Sequence, residues 1–151
     1  VAFRAALDTG ADFVAYLNDD LLQFSRGWLA QLVEALQQDE RYAVAAPSGP
    51  CRSVPQSKGR PGSAYGVFEQ KHPLAWFCAV VRRQALLEVG LFDTGYTHYC
   101  DESDWEMRAR QQGWTSVWVR HVYVGHRDDG DRFDGWWQAD MARFKQRWPN
   151  A

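Results

Sequence analysis

Phe13-Val14-Ala15-Tyr16-Leu17 runs without a break into Asn18-Asp19-Asp20. Five mostly apolar residues followed by three polar ones, two of them acidic, predict a buried strand of a parallel sheet. Its polar end then emerges at the carboxyl edge, where open α/β sheets place their ligands. Carboxylates gathered there repel one another, and a hard divalent cation with oxygen ligands relieves that repulsion. The alternative is a strand that ends in an ordinary Asn/Asp turn, the commoner outcome for so short a motif.

The chain alternates around this stretch. Val1 to Leu7 has helical apolar spacing and Gly10 reads as its stop. That helix has neither a cap nor an initiator Met, so the expectation is a fragment of something longer. Ser25 is a candidate N-cap for a helix whose apolar face carries Trp28, Leu29, Leu32, Val33 and Leu36. Tyr42 to Ala46 reads as a short strand closed by Pro47. Helix, strand, helix, strand is α/β alternation.

Ser48 to Pro73, rich in Pro and Gly and carrying Arg52, Lys58 and Arg60, reads as one long irregular loop. It is either a substrate loop whose cations approach phosphate or a solvated excursion. Leu74 to Val81 predicts a buried strand, and Arg83 to Val89 a short helix stopped by Gly90. Asp101-Glu102-Ser103-Asp104 opens another helix, ended by Gly113. Thr115 to Val119 and Val122-Tyr123-Val124 read as two short strands leading to Gly125-His126. Asp128 to Asp134 misses the calcium-loop pattern, because Phe133 stands where a ligand is needed, and reads as a flexible solvated turn. A last helix, about Trp136 to Trp148, sets Trp137, Met141, Phe144 and Trp148 on one packing stripe.

Composition excludes several classes. At 151 residues, 46% apolar and 24% charged, the chain is long enough for one domain with a real core. A net charge of −2 leaves no basic footprint for nucleic acid and no polybasic membrane patch. Cys51, Cys78 and Cys100 are too widely spaced for a disulfide framework or a zinc site, which favours a reducing compartment. No apolar run reaches transmembrane length, and no signal-peptide pattern is present.

Chemistry concentrates in Asn18-Asp19-Asp20, Asp101-Glu102-Ser103-Asp104 and His126. The first turn of a helix stabilises anionic carboxylates through its dipole and free N–H groups. A carboxylate there can accept a proton from an attacking hydroxyl. Glu102 and Asp104 point in different directions, so one can face a cleft while the other pairs with Arg108. The plainer alternatives are acids that only cap the helix and a His126 that is only structural.

Taken in order, Tyr16-Leu17-Asn18-Asp19-Asp20, Gly27-Trp28-Leu29, Val81-Arg82-Arg83, Val89-Gly90-Leu91-Phe92-Asp93, Asp101-Glu102-Ser103-Asp104-Trp105 with Arg108 and Gly113, and Val124-Gly125-His126 make a joint pattern. The chain resembles the C-terminal two-thirds of a GT-A fold glycosyltransferase of family 2. That resemblance implies a Rossmann-like mixed α/β sheet flanked by helices, lacking the N-terminal nucleotide-binding strands and ending in a C-terminal helix. It implies a partial catalytic domain over 1–128, followed by a linker and packed helix over 129–151. The implied activity is inverting, metal-dependent transfer of a sugar from a nucleotide-sugar donor to a hydroxyl of a saccharide, lipid-linked or protein acceptor. The resemblance also implies a divalent cation, Mn²⁺ or Mg²⁺, as cofactor, and a cytoplasmic setting that extends to the inner face of the membrane.

Residue by residue, Asn18-Asp19-Asp20 stands where the family has Asp-x-Asp, with Asn18 in place of the first acid. Asp20 and His126 match metal-holding positions, and Asn18 and Asp19 lie against the donor. Glu102 matches the general base and Asp104 the following acid. The family order Glu-Asp-x-Asp is here Asp101-Glu102-Ser103-Asp104, which leaves the base open between Asp101 and Glu102. Trp76, Phe77 and Trp105 are candidates for stacking on a sugar ring, with core packing as the alternative for each. Two rival readings stand beside this one: a non-catalytic remnant or binding module of the same fold, and a metal-dependent nucleotidyltransferase.

Overall fold

The structure is a computed structural model, and it describes residues 2–51, 54–127 and 135–151. Its elements run α1 (Ala2–Asp8), β1 (Phe13–Leu17), β2 (Leu21–Phe24), α2 (Trp28–Gln37), β3 (Tyr42–Ser48), a 3-10 turn (Pro55–Lys58), β4 (Val67–Gln70), β5 (Cys78–Arg82), α3 (Arg83–Val89), α4 (Asp101–Gln111), β6 (Thr115–His126) and α5 (Gly135–Arg147). The strands form one mixed sheet in the order β1-β5-β3-β6-β2, with β4 also paired to β6.

Side chains alternate across the sheet and bury both faces. Val44, Ala46, Ala79 and Val81 point to the side covered by α1, α3 and α4, where Leu86 and Trp105 complete a core. Ala45, Cys78, Val80, Val117 and Val119 point to the other side and meet Leu32, Ala35 and Leu36 of α2. This three-layer arrangement is the mixed α/β class that the alternating elements predict.

Strand direction fixes where a site can form. β5 is antiparallel to both β1 and β3, and β6 is parallel to β3. The carboxyl ends of β1, β3 and β6 therefore share one edge with the amino end of β5. Asn18 to Asp20, Gly49 to Cys51, His126 and the residues just before Cys78 all emerge there.

Several local expectations are corrected. β1 is not a buried parallel strand: it lies at the end of the strand order, pairs antiparallel with β5, and buries only Val14. Its apolar run is spent on contacts with α1 and the aromatic side chains beyond it, including Phe3 stacked on Tyr16 at 6.1 Å. Ser25 does not cap α2. Gly27, in the left-handed region at φ 69°, takes that place, while the Ser25 hydroxyl donates to the Tyr123 carbonyl at 2.7 Å.

Pro47 does not close β3, because it falls where the β3–β6 register shifts and a missing N–H breaks no regular ladder. The expected pair of strands after Gly113 is one strand, β6, with its irregularity opposite that same point. Ser48 to Pro73 is not a structureless loop, for it contains the 3-10 turn and β4. Buried Gln56 pins it to the body, donating to the Pro47 and Ala75 carbonyls and accepting the Ala75 N–H at 2.8 Å. The region expected to be a strand from Leu74 begins at Cys78; Leu74 is buried in the core and Ala75 to Phe77 line the site. Arg52 and the expected turn at Asp128 to Asp134, with the domain boundary at 128/129, lie outside the described residues.

The remaining helices follow the sequence. Gly10 and Gly90, at φ 74° and 83°, end α1 and α3. All three cysteines are free thiols. Among the described residues, no helix is long and apolar enough to cross a membrane.

Candidate active site

A cleft of about 750 Å³ opens at the shared edge. Asn18, Asp19, Asp20 and His126 line one part of it, Trp76 and Phe77 its floor, and Asp101 and Glu102 another part. Thus eight of the ten residues singled out by sequence meet in one cavity.

At the first end, β1 delivers Asp20 and β6 delivers His126. His126 Nε2 lies 3.1 Å from Asp20 Oδ1 and 3.5 Å from Asn18 Nδ2. The Phe77 ring packs against the imidazole at 5.3 Å and fixes its orientation. Phe77 is itself held closely from below: a Cβ on Gly49 would come within 2.6 Å of its ring. Asp20 Oδ1 is buried and, the imidazole apart, meets no hydrogen-bond donor. One carboxylate oxygen and one imidazole nitrogen facing each other suit a divalent ion such as Mn²⁺. They are two ligands only. Among the described residues, no group of three or more His, Cys, Asp or Glu side chains could hold a metal.

The second end belongs to the first turn of α4. Asp101, Glu102 and Asp104 all lie there, where the helix dipole favours negative charge. Burial pushes the Glu102 carboxyl well above the usual carboxylate range, and the hydrogen bond and negative charge of Asp101 push it further. The Tyr16 phenol, also in the cleft, is raised by burial and then by the charges of Asp101 and Glu102. Such a carboxyl, when ionised, is a stronger base than an ordinary glutamate.

Asp104 and Trp105 do not reach the cleft. Asp104 is fully buried and accepts Arg108 Nε at 2.9 Å and Trp148 Nε1 at 2.9 Å. Its neighbour Arg147 adds a contact at 3.0 Å. The Asp104 carboxylate thus serves to join α4 to the last residue of α5 and the one after it. Trp105 is buried in the core and donates its indole N–H to the Gly90 carbonyl at 2.7 Å. The helical period explains Asp104, which lies two residues and so about 200° around the helix from Glu102; Trp105, a turn further along the face of Asp101, is taken into the core by its depth in the protein.

Two contributors had no signal in the sequence. Glu106, buried on α4, accepts the Trp76 indole N–H at 2.6 Å and the Leu74 N–H at 2.9 Å, so it orients the cleft floor. Burial lifts its carboxyl to about 7, against the downward pull of hydrogen bonds from Ser116, Trp76 and Leu74. Thr97, His98 and Tyr99 line the cleft next to the acids.

No protein-family model matches the chain. Among curated proteins, an N-acetylglucosaminyl-diphospho-decaprenol L-rhamnosyltransferase of Mycobacterium tuberculosis is similar in two strains. It is 31% identical over 96 residues, covering 47% of this chain and 31% of that protein. Among solved structures, GalNAc-T7, crystallised with UDP, GalNAc and Mn²⁺, superposes with a TM-score of 0.70 at 16% identity. The match covers 99% of this chain and 34% of GalNAc-T7. The chain spans about a third of the length of the proteins it matches. It has the GT-A glycosyltransferase fold, over a part of the length that its relatives have.

Proposed function

We propose that this chain is the carboxyl-terminal part of a glycosyltransferase catalytic domain of family 2 type. It serves inverting transfer from a nucleotide-sugar to an acceptor hydroxyl. The observation that carries this reading is the joint placement in one cleft of Asp20 with His126 and of Glu102 with Asp101. A pair suited to a metal-bound diphosphate stands at one end, and a carboxyl with raised basicity at the other.

In the proposed step, Glu102 takes the proton of the acceptor hydroxyl as that oxygen forms its bond to the anomeric carbon. The bond from that carbon to the diphosphate oxygen breaks on the opposite face, and its electron pair leaves with the nucleoside diphosphate. Asp20 and His126 would hold the cation, with Asn18 and Asp19 beside the diphosphate. A divalent cation, when bound, supplies positive charge against the leaving group. The Mn²⁺ bound to GalNAc-T7 supports that choice of metal. Trp76 and Phe77 form the floor under the sugar, whereas Trp105 is left to the core.

The unit over 1–128 would carry the catalytic residues and 129–151 the supporting helix. Saccharide, lipid-linked and protein acceptors, and a cytoplasmic setting, belong to this same proposal. The test is release of nucleoside diphosphate from a panel of nucleotide-sugars with Mn²⁺, using the chain and a longer protein that contains it. Turnover that depends on metal and is lost in Asp20→Ala supports the reading. Absence of metal-dependent turnover with every donor, or turnover indifferent to Asp20→Ala, defeats it.

A further inference from the structure

Thr97, His98 and Tyr99 line the cleft directly ahead of Asp101 in the chain, yet no helix or strand of their own holds them. Their backbone N–H groups, three in succession, all donate to one side chain, the carboxylate of Asp140 on α5. Thr97 N lies 3.0 Å from Oδ1 and 3.1 Å from Oδ2, and His98 N and Tyr99 N each lie 2.9 Å from Oδ2. Asp140 is the buried residue of α5, at 3% exposure, on a helix whose apolar stripe is only half-buried. Burial pushes its carboxyl up, and the three N–H groups outweigh that and leave it lowered. A carboxylate in that state is a fixed partner at neutral pH.

Rings extend the same contact. His98 packs edge-on to Tyr99 at 4.7 Å, Tyr99 to Trp137 at 5.3 Å, and His98 to Trp136 at 6.3 Å. Beyond Tyr99 the chain turns into α4 through Cys100, a non-glycine residue in the left-handed region at φ 65°. Such a backbone persists only where its surroundings over-determine it. The segment is therefore set from one side by α5 and from the other by the entry to α4.

We propose that Asp140 is a positioning residue. It clamps Thr97 to Tyr99 into the wall on which a saccharide acceptor seats, so that α5 completes the acceptor side of the cleft. This rests on the transferase reading above. On that reading the diphosphate lies at Asp20 and His126, and the acceptor hydroxyl must come within hydrogen-bond reach of Glu102. The wall adjoining Glu102 is this segment. Its two aromatic rings suit the apolar face of a pyranose, and its height relative to Glu102 is set by Asp140.

The test compares the whole chain with Asp140→Asn, which keeps the side chain's shape but replaces an acceptor oxygen by an amide donor. Amide exchange at Thr97, His98 and Tyr99 should quicken by ~10-fold or more, while the Asn18 amide, bonded to the Phe77 carbonyl at 2.9 Å, keeps its rate. N-acetylglucosamine and N-acetylgalactosamine, titrated separately, should shift the amide resonances of residues 97–99, with affinity reduced roughly 10-fold in the variant. Paramagnetic broadening by Mn²⁺ at His126 should be the same in both proteins. Asp140→Glu retains the carboxylate one methylene further out. It should restore much of the protection, and it replaces the Asn variant if that does not fold.

Unchanged exchange at 97–99, or exchange that quickens equally at Asn18, overturns the clamp. Saccharide shifts that fall elsewhere, or affinities equal in both proteins, overturn the acceptor wall. Loss of Mn²⁺ broadening in the wild-type chain strikes the metal-dependent transferase reading instead, and the exchange result still judges Asp140.

Discussion

The four acids of α4 carry the same chemistry to opposite ends. Asp101 and Glu102 look into the cleft, while Asp104 and Glu106 look into the protein. Asp104 is met by Arg108, Trp148 and Arg147, and Glu106 by two N–H donors at Oε1. Glu102 meets Asp101, a second acid, and its pKa rises because burial and that neighbour both disfavour its charge. Asp104, buried with cations around it, spends its charge on structure, and Glu106, met by neutral N–H donors and raised to about 7, serves structure largely as the acid. A carboxyl crowded by another acid beside open space keeps its proton affinity for chemistry.

The sharpest way to break this contrast is Glu102→Gln. It should lower transfer by roughly 10³-fold, the usual scale for a positioned general base, with the thermal midpoint little changed. In the wild-type enzyme kcat/KM should rise with pH through the raised pKa of Glu102, because the base acts only when ionised. That limb should vanish in the variant. Loss of folding together with activity would put Glu102 on the structural side.

Next in size, Asp104→Ala should cost about 3 kcal/mol in chemical denaturation, since it strands the half of a buried ion pair that remains. Its kcat/KM, measured well below the unfolding midpoint, should stay within a few-fold of wild type. A catalytic deficit as large as that of Glu102→Gln would return Asp104 to the chemistry that the resemblance assigns it.

Glu106 gives a pH test of the core face. Its folded pKa of about 7 stands above the ordinary 4.5, so the native state holds a proton that the unfolded chain has released. Stability should therefore fall as pH rises from about 4.5 to 7, then level off, with this group contributing on the order of 3 kcal/mol across the window. Denaturation of Glu106→Gln at pH 5 and pH 8 should show this group's share of the slope removed, with the share of the raised Glu102 carboxyl remaining. Persistence of the whole slope would mean that another group carries it.

The smallest effect is expected for Asp101→Asn, a few-fold loss in kcat with the pH limb moved to lower pH, because Glu102 loses a like charge. Should Asp101→Asn abolish transfer while Glu102→Gln leaves it intact, the roles of the two acids are exchanged.

What the sequence disclosed follows the range of the interactions involved. The split between Glu102 and Asp104 was legible, because helical geometry is local and Arg108 sits one turn on. The edge that collects Asp20 and His126 followed from apolar runs ending in polar residues. Strand β2 was not legible: Leu21 to Phe24 becomes a strand only by pairing with Val124 to His126, about a hundred residues on. Neither was β4, whose half-exposed residues acquire their ladder from Ser116 to Val119. Asp140, Gln56 and Glu106 look in sequence like ordinary surface polar residues. Their value comes from backbone N–H groups that other segments leave without partners, which no periodicity records. The tryptophans divide only in part: Trp76 and Trp105 touch in one core cluster, their rings 5.5 Å apart, and of the two Trp76 alone also lines the cleft.

Strand β6 has a consequence for the order of biosynthesis. It pairs with β3, β4 and β2 at once, and its last residue meets the loop after β1. Contacts between residues so far apart close late and slowly. As the chain leaves the ribosome, β2 and β4 lack the strand that joins them to β1, β5 and β3 until Thr115 to His126 has emerged. Until then β3 has only β5 beside it and β2 has no partner strand among the described residues. A nascent chain stopped before Thr115 would expose strand edges and lack the His126 that faces Asp20 in the cleft. Any chaperone dependence of this protein should end when that stretch clears the exit tunnel.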